Sequence, residues 1–308
     1  MIGSNFINYI FKKNTYRIIA LDNLESCLTE KAINADIRNS NDFTFVQGSF
    51  GDKKLVKKLL CSYKITHVLN LAATLFNPKF VNEPLYFVEN NVNNTAIFLE
   101  TCRKYGKLEL YIHMSTYLIG DIVNGLFSSN EICIHPYSVT KASSLSLTVL
   151  YRDIYKLPVI IAMPNNVFAK NQCISAPVPD YLILLKNGEK IPLNINDSNK
   201  GNYIYIDNVV TAIEILFKKG VVGELYKILN DDEEGCLTNI ELARKLIKDF
   251  NNTCDFNRYI EYINESSCKK QKCDTDNKAL KDLGWEITVS TDKGLKIVSD
   301  HYKTLQIT

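Results

Sequence analysis

The sequence predicts an α/β protein with a doubly wound parallel sheet and a smaller C-terminal α+β lobe. Two observations carry this. Short apolar runs of strand length alternate with helical periodicities up to residue 164, as stacked βαβ units require, and the pattern then turns irregular. Several of those runs also end in small or polar residues, at the edge where open parallel sheets bind ligands. Residues 1–164 are therefore expected to form a dinucleotide-binding domain. Residues 165–308 should form mainly a substrate lobe, with 201–230 returning to the first domain.

Residues 1–11 carry apolar side chains at helical spacing and lead into 16–22, a short apolar run ending in Asp22. A helix feeding a buried strand that ends in Asp is the second half of a Rossmann-type βαβ unit, in which the acid accepts hydrogen bonds from the adenosine ribose. Gly3 is then either the third glycine of a G-x-x-G-x-x-G loop or an ordinary glycine. The first strand of the unit is missing. In the order 3-2-1-4-5-6 that strand is central, so the strands beginning near Tyr16 and Thr66 should face each other across an empty lane. Each buried backbone group orphaned there would cost about 1–3 kcal/mol. The expectation is that the real start lies upstream of Met1, or that the gene is decaying.

Residues 43–48 read as a strand and 52–60 as an amphipathic helix with its lysines on the wet side. A strand over 66–73 ends in Leu71-Ala72-Ala73, whose small side chains would let backbone approach a cofactor; His67 in it reads as a packed strand residue. A helix over 91–104 and a strand over 108–114 follow, and the strand delivers Ser115 and Thr116 at its carboxyl end. These two either cap a turn or hydrogen-bond a sugar hydroxyl or carbonyl.

The chemistry centres on His135-Pro136-Tyr137-Ser138-Val139-Thr140-Lys141-Ala142, continued by an apolar run as one helix. Tyr137 and Lys141 sit one turn apart on the same face. A cation there would stabilise a phenolate and lower a tyrosine pKa from about 10 toward the working range of a general acid or base. A strand over 157–163 is followed by Pro164-Asn165-Asn166, where the paired amides either bind a ligand or close an Asx turn. Further on, 181–187, 207–218, 239–250 and 278–283 read as helices, the last closed by Gly284-Trp285, and 201–206 and 224–229 as strands.

Composition limits the function classes. A chain of 308 residues with 46% hydrophobic content can bury a large core, and a net charge of +2 gives no reason to expect a nucleic-acid partner. Nine scattered cysteines without a Cys-x-x-Cys pair read as reduced thiols in a cytoplasmic protein, with no metal site. No apolar run of about 18 residues and no basic-headed signal peptide is present, so neither membrane insertion nor secretion is expected.

The motifs resemble one family from end to end. They include Ile2-Gly3-Ser4-Asn5-Phe6, Asp22-Asn23-Leu24, Leu71-Ala72-Ala73, Asn91 before Thr95, His113-Met114-Ser115-Thr116 and Pro136-Tyr137-Ser138-Val139-Thr140-Lys141-Ala142. Pro164-Asn165-Asn166-Val167-Phe168 with Asn171-Gln172, Asp197-Ser198-Asn199, Tyr203 to Asp207, Gly223 to Ile228 and Leu283-Gly284-Trp285 continue it. The sequence resembles the extended short-chain dehydrogenases/reductases acting on nucleotide sugars, and most of all the nucleoside-diphosphate-glucose 4,6-dehydratases. That resemblance implies a tightly held NAD that oxidises C4, loss of water across C5 and C6, and return of the hydride to C6. It assigns the 4-hydroxyl proton to Tyr137, the nicotinamide ribose to Lys141, the 4-oxygen to Thr116 or Ser115, and the adenosine ribose to Asp22. Gly3, Leu71, Ala72, Ala73 and Asn91 would line the cofactor, Asn165 and Asn166 the sugar pocket. Helices 91–104 and 137–155 would pair in a homodimer.

The departures are specific. Where the dehydratases follow Ser-Thr with an Asp-Glu acid and base, this chain has Tyr117-Leu118, with one residue deleted before Gly120. A phenol without a cation partner and a leucine have no proton to exchange near neutral pH, so dehydration as the family performs it should be impaired. Arginines expected on the diphosphate are replaced by Met163, around Gly201 and by Lys272, and residues 74–78 lack the usual sugar-facing polar groups. Two other readings stay open: a nucleotide-sugar epimerase or reductase using Ser/Thr, Tyr and Lys alone, and a non-catalytic binding or dimerisation partner.

Overall fold

The computed structural model describes residues 1–13, 15–25, 30–75, 83–119, 136–170, 172, 176–231, 235–264 and 273–305. Gly120, His135, Asn171 and Lys272, named above, lie outside the described residues.

The chain begins with α1 (Ile2–Ile10), whose Phe6 and Ile10 are buried, and enters β1 (Ile18–Asp22). A short α2 (Ala35–Arg38) leads to β2 (Phe43–Gln47), which pairs in parallel with β1. Helix α3 (Lys53–Ser62) starts where the Asp52 carboxylate accepts the Lys54 and Leu55 N–H groups, the N-cap the acid predicts. After β3 (His67–Asn70) the expected helix at 91–104 begins seven residues early. Pro84 opens α4 (Pro84–Phe87), a π-helical turn (Val88–Asn93) follows, and α5 (Asn94–Tyr105) ends at Gly106 with φ +66°.

Strand β4 (Leu110–Met114), helix α6 (Pro136–Asp153) and strand β5 (Val159–Pro164) carry the heart of the sheet, with both strands buried along their whole length. A three-residue β6 (Asn166–Phe168), α7 (Pro177–Asn187), β7 (Ile191–Asn194) and β8 (Lys200–Tyr205) begin the second half. Helix α8 (Ile206–Lys219) packs on α1, and β9 (Leu225–Ile228) pairs with β5, so this stretch lies on the main sheet. Then come β10 (Cys236–Thr238), α9 (Asn239–Asn251), β11 (Ile260–Ile263), α10 (Lys278–Asp282) and α11 (Thr291–Thr304).

The main sheet runs β3-β4-β5-β9, all parallel, and β1-β2 stands as a separate parallel pair. The break falls between β1 and β3. Three rings meet there: Tyr16 just before β1, His67 of β3 and Phe217 of α8, with centroids 5.8–6.2 Å apart. His67 is thus a packing residue, as read. The parallel α/β architecture is the one expected.

Two expectations fail. The 14-residue α11 was not anticipated, although Ser290 caps it by accepting the Lys293 N–H at 3.3 Å and Leu295, Val298 and Tyr302 supply a buried stripe. The reduced state expected for all nine cysteines is also wrong at one pair: Cys236 of β10 and Cys273 are joined as a disulfide, while Cys61, Cys102 and Cys254 are free. The partners are 37 residues apart, so spacing alone gave no sign of the pairing. No described helix is long and apolar enough to cross a membrane.

One amide joins the C-terminal elements to the sheet. Fully buried Asn208 in α8 accepts Thr288 N–H at 3.0 Å and Val289 N–H at 3.1 Å, and donates to the Val289 carbonyl at 2.7 Å. Trp285, fully buried beside it, donates its indole N–H to the Asn208 carbonyl at 3.1 Å. Asn208→Ala would remove the partner of three part-buried backbone groups, and it is expected to lower stability by about 1–3 kcal/mol, read as a shift of the urea midpoint.

Candidate active site

The site is built on the carboxyl end of β4. The Lys141 side chain, 5% exposed, reaches from α6 to donate its ammonium to the Met114 carbonyl at 2.7 Å. That bond fixes α6 against the strand end that delivers Ser115 and Thr116, both buried. Tyr137 lies one helical turn before Lys141 and is partly buried. Ser115 Oγ and Asn165 Oδ1 are buried without a hydrogen-bond partner. Unsatisfied buried polar atoms are costly, so two of them at a sheet's carboxyl edge mark where a polar ligand would complete the structure.

Burial dominates the electrostatics. It pushes the Lys141 ammonium down to about 8 and the Tyr137 phenol up to about 12. The lowering of the Tyr137 pKa expected from Lys141 is therefore not found. Burial alone sets the shift, and the Lys141 ammonium is bonded to a carbonyl. His113, beneath the pair, has neither ring nitrogen bonded, and burial followed by the Lys141 charge holds it well below its usual range, hence neutral. Its ring stacks on Tyr111 at 6.5 Å, and the Tyr111 hydroxyl accepts from Asn70 at 2.9 Å.

Asn91 has a use that its position in sequence did not reveal. It is 1% exposed, accepts the Thr74 N–H at 2.7 Å and donates to the Thr74 carbonyl and the Thr140 hydroxyl at 3.1 and 3.0 Å. Thr140 in turn donates to the Pro136 carbonyl at 2.9 Å. The π-helical turn around Asn91 aims this amide, so one side chain clamps the chain after β3 to the first turn of α6. Leu71, Ala72 and Ala73 lie on the clamped segment, with Ala72 exposed. Asp22 is exposed at the carboxyl end of β1, where it accepts the Leu24 N–H at 2.8 Å. Gly3 lies close to this edge, since a Cβ built on it would meet Leu71 Cδ1 at 3.4 Å.

Asn166 opens β6 and pairs with Tyr203 of β8; a Cβ on neighbouring Gly201 would come within 2.5 Å of its Nδ2. An arginine at 201 could not coexist with Asn166 as placed. Met163 is buried in β5 and offers no polar reach. Tyr117, by contrast, is not the isolated phenol the sequence implied. Lys227 Nζ of β9 stands 5.8 Å over its ring and is itself paired with the Asp274 carboxylate at 2.6 Å. The cation comes from an element far off in sequence, which is why it was missed.

The carboxyl edge of a parallel sheet, a helix-borne tyrosine and lysine, and unsatisfied polar atoms beside them together define a Rossmann-like α/β protein with an ionisable pair at its ligand edge. Residues 1–298 match the family model of GDP-mannose 4,6 dehydratase, and the chain belongs to that family. It is 30% identical to dTDP-D-glucose 4,6-dehydratase of Dictyostelium discoideum, over 98% of this chain and 79% of that one. It is also 30% identical to a trifunctional UDP-glucose 4,6-dehydratase/3,5-epimerase/reductase of Arabidopsis thaliana, covering 98% of this chain but only 45% of the relative. The crystal structure of dTDP-glucose 4,6-dehydratase from Bacillus anthracis in complex with NAD superposes with a TM-score of 0.81 at 25% identity, over 98% and 93% of the two chains. NAD is thus the cofactor of the family, and the residues here fit it: an exposed carboxylate ends β1, small residues follow β3, and Ser115 Oγ waits for a partner. Among the described residues no group of His, Cys, Asp or Glu could hold a metal ion.

Two outcomes follow. Asn91→Ala should cost about 1–3 kcal/mol and leave less NAD bound per chain after gel filtration, since Thr74 N–H loses its acceptor. For Lys141, the unfolded chain titrates near 10.5 and the folded one at about 8, so between those values the unfolded chain holds more protons and this site's contribution to stability rises with pH. Lys141→Met should accordingly be more stable than the NAD-free parent at pH 7, by about 1–3 kcal/mol, with the advantage fading above pH 8 in urea titrations.

Proposed function

We infer that the protein is an NAD-dependent nucleotide-sugar 4,6-dehydratase that converts dTDP- or UDP-glucose to the 4-keto-6-deoxy sugar nucleotide. The observation that carries this reading is the Lys141 ammonium seated on the Met114 carbonyl, one turn from Tyr137 and beside the unpaired Ser115 hydroxyl. Membership in a family of such enzymes supplies the reaction class.

In this reading Tyr137 takes the proton from the sugar 4-hydroxyl, and Lys141 orients the nicotinamide ribose and steadies the phenolate. Thr116 and Ser115 hold the 4-oxygen. Asp22 receives the adenosine ribose, Gly3, Leu71, Ala72 and Ala73 bound the cofactor cleft, and Asn91 keeps its wall in place. Asn165 and Asn166 face the sugar. When bound, NAD would supply the hydride acceptor and donor, and its positive charge would offset the burial that raises the Tyr137 phenol. The substrate's nucleotide lies against the lobe of residues 165–308, with 201–230 returning to the domain of residues 1–164. The enzyme works as a cytoplasmic homodimer joined through the helices that include α5 and α6.

The loss of the Asp-Glu pair at Tyr117-Leu118 favours a second reading, a nucleotide-sugar epimerase or reductase that needs no acid and base at C5 and C6. Incubation of the purified protein with dTDP- and UDP-glucose, followed by NMR of the product, decides. A 4-keto-6-deoxy product is expected, and a change of configuration at C4 alone would replace this reading by the second. Tyr137→Phe should lower kcat by about 10²–10⁴-fold.

A further inference from the structure

We propose that Tyr117, Asp274 and Lys227 form a replacement acid–base set for the loss of water across C5 and C6, standing in for the missing Asp-Glu pair. This rests on the dehydratase reading. The three residues come from distant parts of the chain: Tyr117 follows the Ser115-Thr116 pair, Lys227 lies in β9, and Asp274 precedes α10. Tyr117 and Asp274 line a pocket of about 370 Å³ with Cys273, Thr275 and Asp276, and Lys227 reaches Asp274 from β9.

Asp274 is held firmly. Its Oδ2 receives Lys227 Nζ at 2.6 Å and its Oδ1 receives the Asp276 N–H at 2.9 Å, while the same Lys227 ammonium stands 5.8 Å over the Tyr117 ring. The Asp274 backbone carbonyl accepts from fully buried Asn202 at 3.1 Å, and its neighbour Cys273 is tied covalently to Cys236 of β10. Burial works to raise the carboxyl, and the hydrogen bonds from Lys227 and the Asp276 N–H outweigh it, leaving the group ionised and able to accept a proton. Both charged partners keep contact with solvent, at 33% and 20% side-chain exposure, so protons can enter and leave. The result is a base and an acid that share one cation and line one pocket, the acid three residues beyond the carbonyl that holds Lys141.

The elimination balances within this pair. Once C4 is a ketone, the C5–H bond breaks and its proton passes to the Asp274 carboxylate, while the electron pair forms the C5=C6 bond. The C6–O bond breaks, and the departing oxygen takes the Tyr117 phenolic proton and leaves as water. The proton on Asp274 then returns to the Tyr117 oxygen within the pocket both residues line, and the pair is back in its starting state. Lys227 is a positioning residue: its cation over the ring stabilises the transient phenolate.

Rapid mixing of the NAD-loaded enzyme with dTDP- or UDP-glucose tests this, with NADH followed at about 340 nm and the 4-keto-6-deoxy product by NMR. Tyr117→Phe and Asp274→Asn are expected to slow product formation by about 10²–10³-fold while NADH still forms and accumulates. Lys227→Met should move the alkaline limb of the product pH profile by about one unit, a readout that a purely structural contact would not shift. Product formation by both Tyr117→Phe and Asp274→Asn within about threefold of the parent, or an equal fall of NADH and product in both, overturns the proposal. If the parent forms no NADH with either sugar nucleotide, the dehydratase reading fails and the proposal falls with it.

Discussion

A buried ammonium on a backbone carbonyl holds the candidate site together. Lys141 leaves solvent to meet the Met114 carbonyl at 2.7 Å, and with that contact α6 is fixed against the carboxyl end of β4. Everything polar near the reaction centre is arranged around this point. Ser115 and Thr116 follow the carbonyl directly, Tyr137 stands one turn up the helix, and His113 is kept neutral below. Placing a cation in so dry a setting works against folding, and it is tolerated where function needs a charge aimed at a ligand.

The Asn91 clamp serves the same end from the other side. By spanning Thr74 and Thr140 it sets the spacing between the chain after β3 and the helix that carries Tyr137 and Lys141. The cleft walls are thus held by one buried ammonium and one buried amide. Farther out, Asn208 plays an equivalent part between α8 and the C-terminal segment, and the Cys236–Cys273 bond ties the approach to α10 onto β10.

The alternating strands and helices of the first half were legible because long, regular runs of apolar residues dictate them, and Tyr137 with Lys141 because a one-turn spacing is written in the sequence. The short strands β7, β10 and β11, of three or four residues, carry too little periodicity to be read. Helix α11 did carry a signal, Ser290 before Leu295 and Val298, which went unused. What no local pattern could disclose is pairing across the fold: Asn91 with Thr140, Cys236 with Cys273, and Tyr117 with Asp274 and Lys227. The last matters most, because Tyr117 read in isolation looked chemically inert. The pKa of Tyr137 was misjudged for a related reason, since spacing gives proximity to a cation but says nothing of burial.

Lys141 is desolvated in the NAD-free protein, where in the proposed reading it awaits the cofactor's ribose. The most direct measurement is NMR titration of the Lys141 side chain with ¹³C-labelled lysine, with and without NAD. The account predicts titration near pH 8 in the free protein, clearly below the ordinary 10.5, and a changed resonance when NAD is added. Titration near 10.5, with no response to NAD, would contradict it.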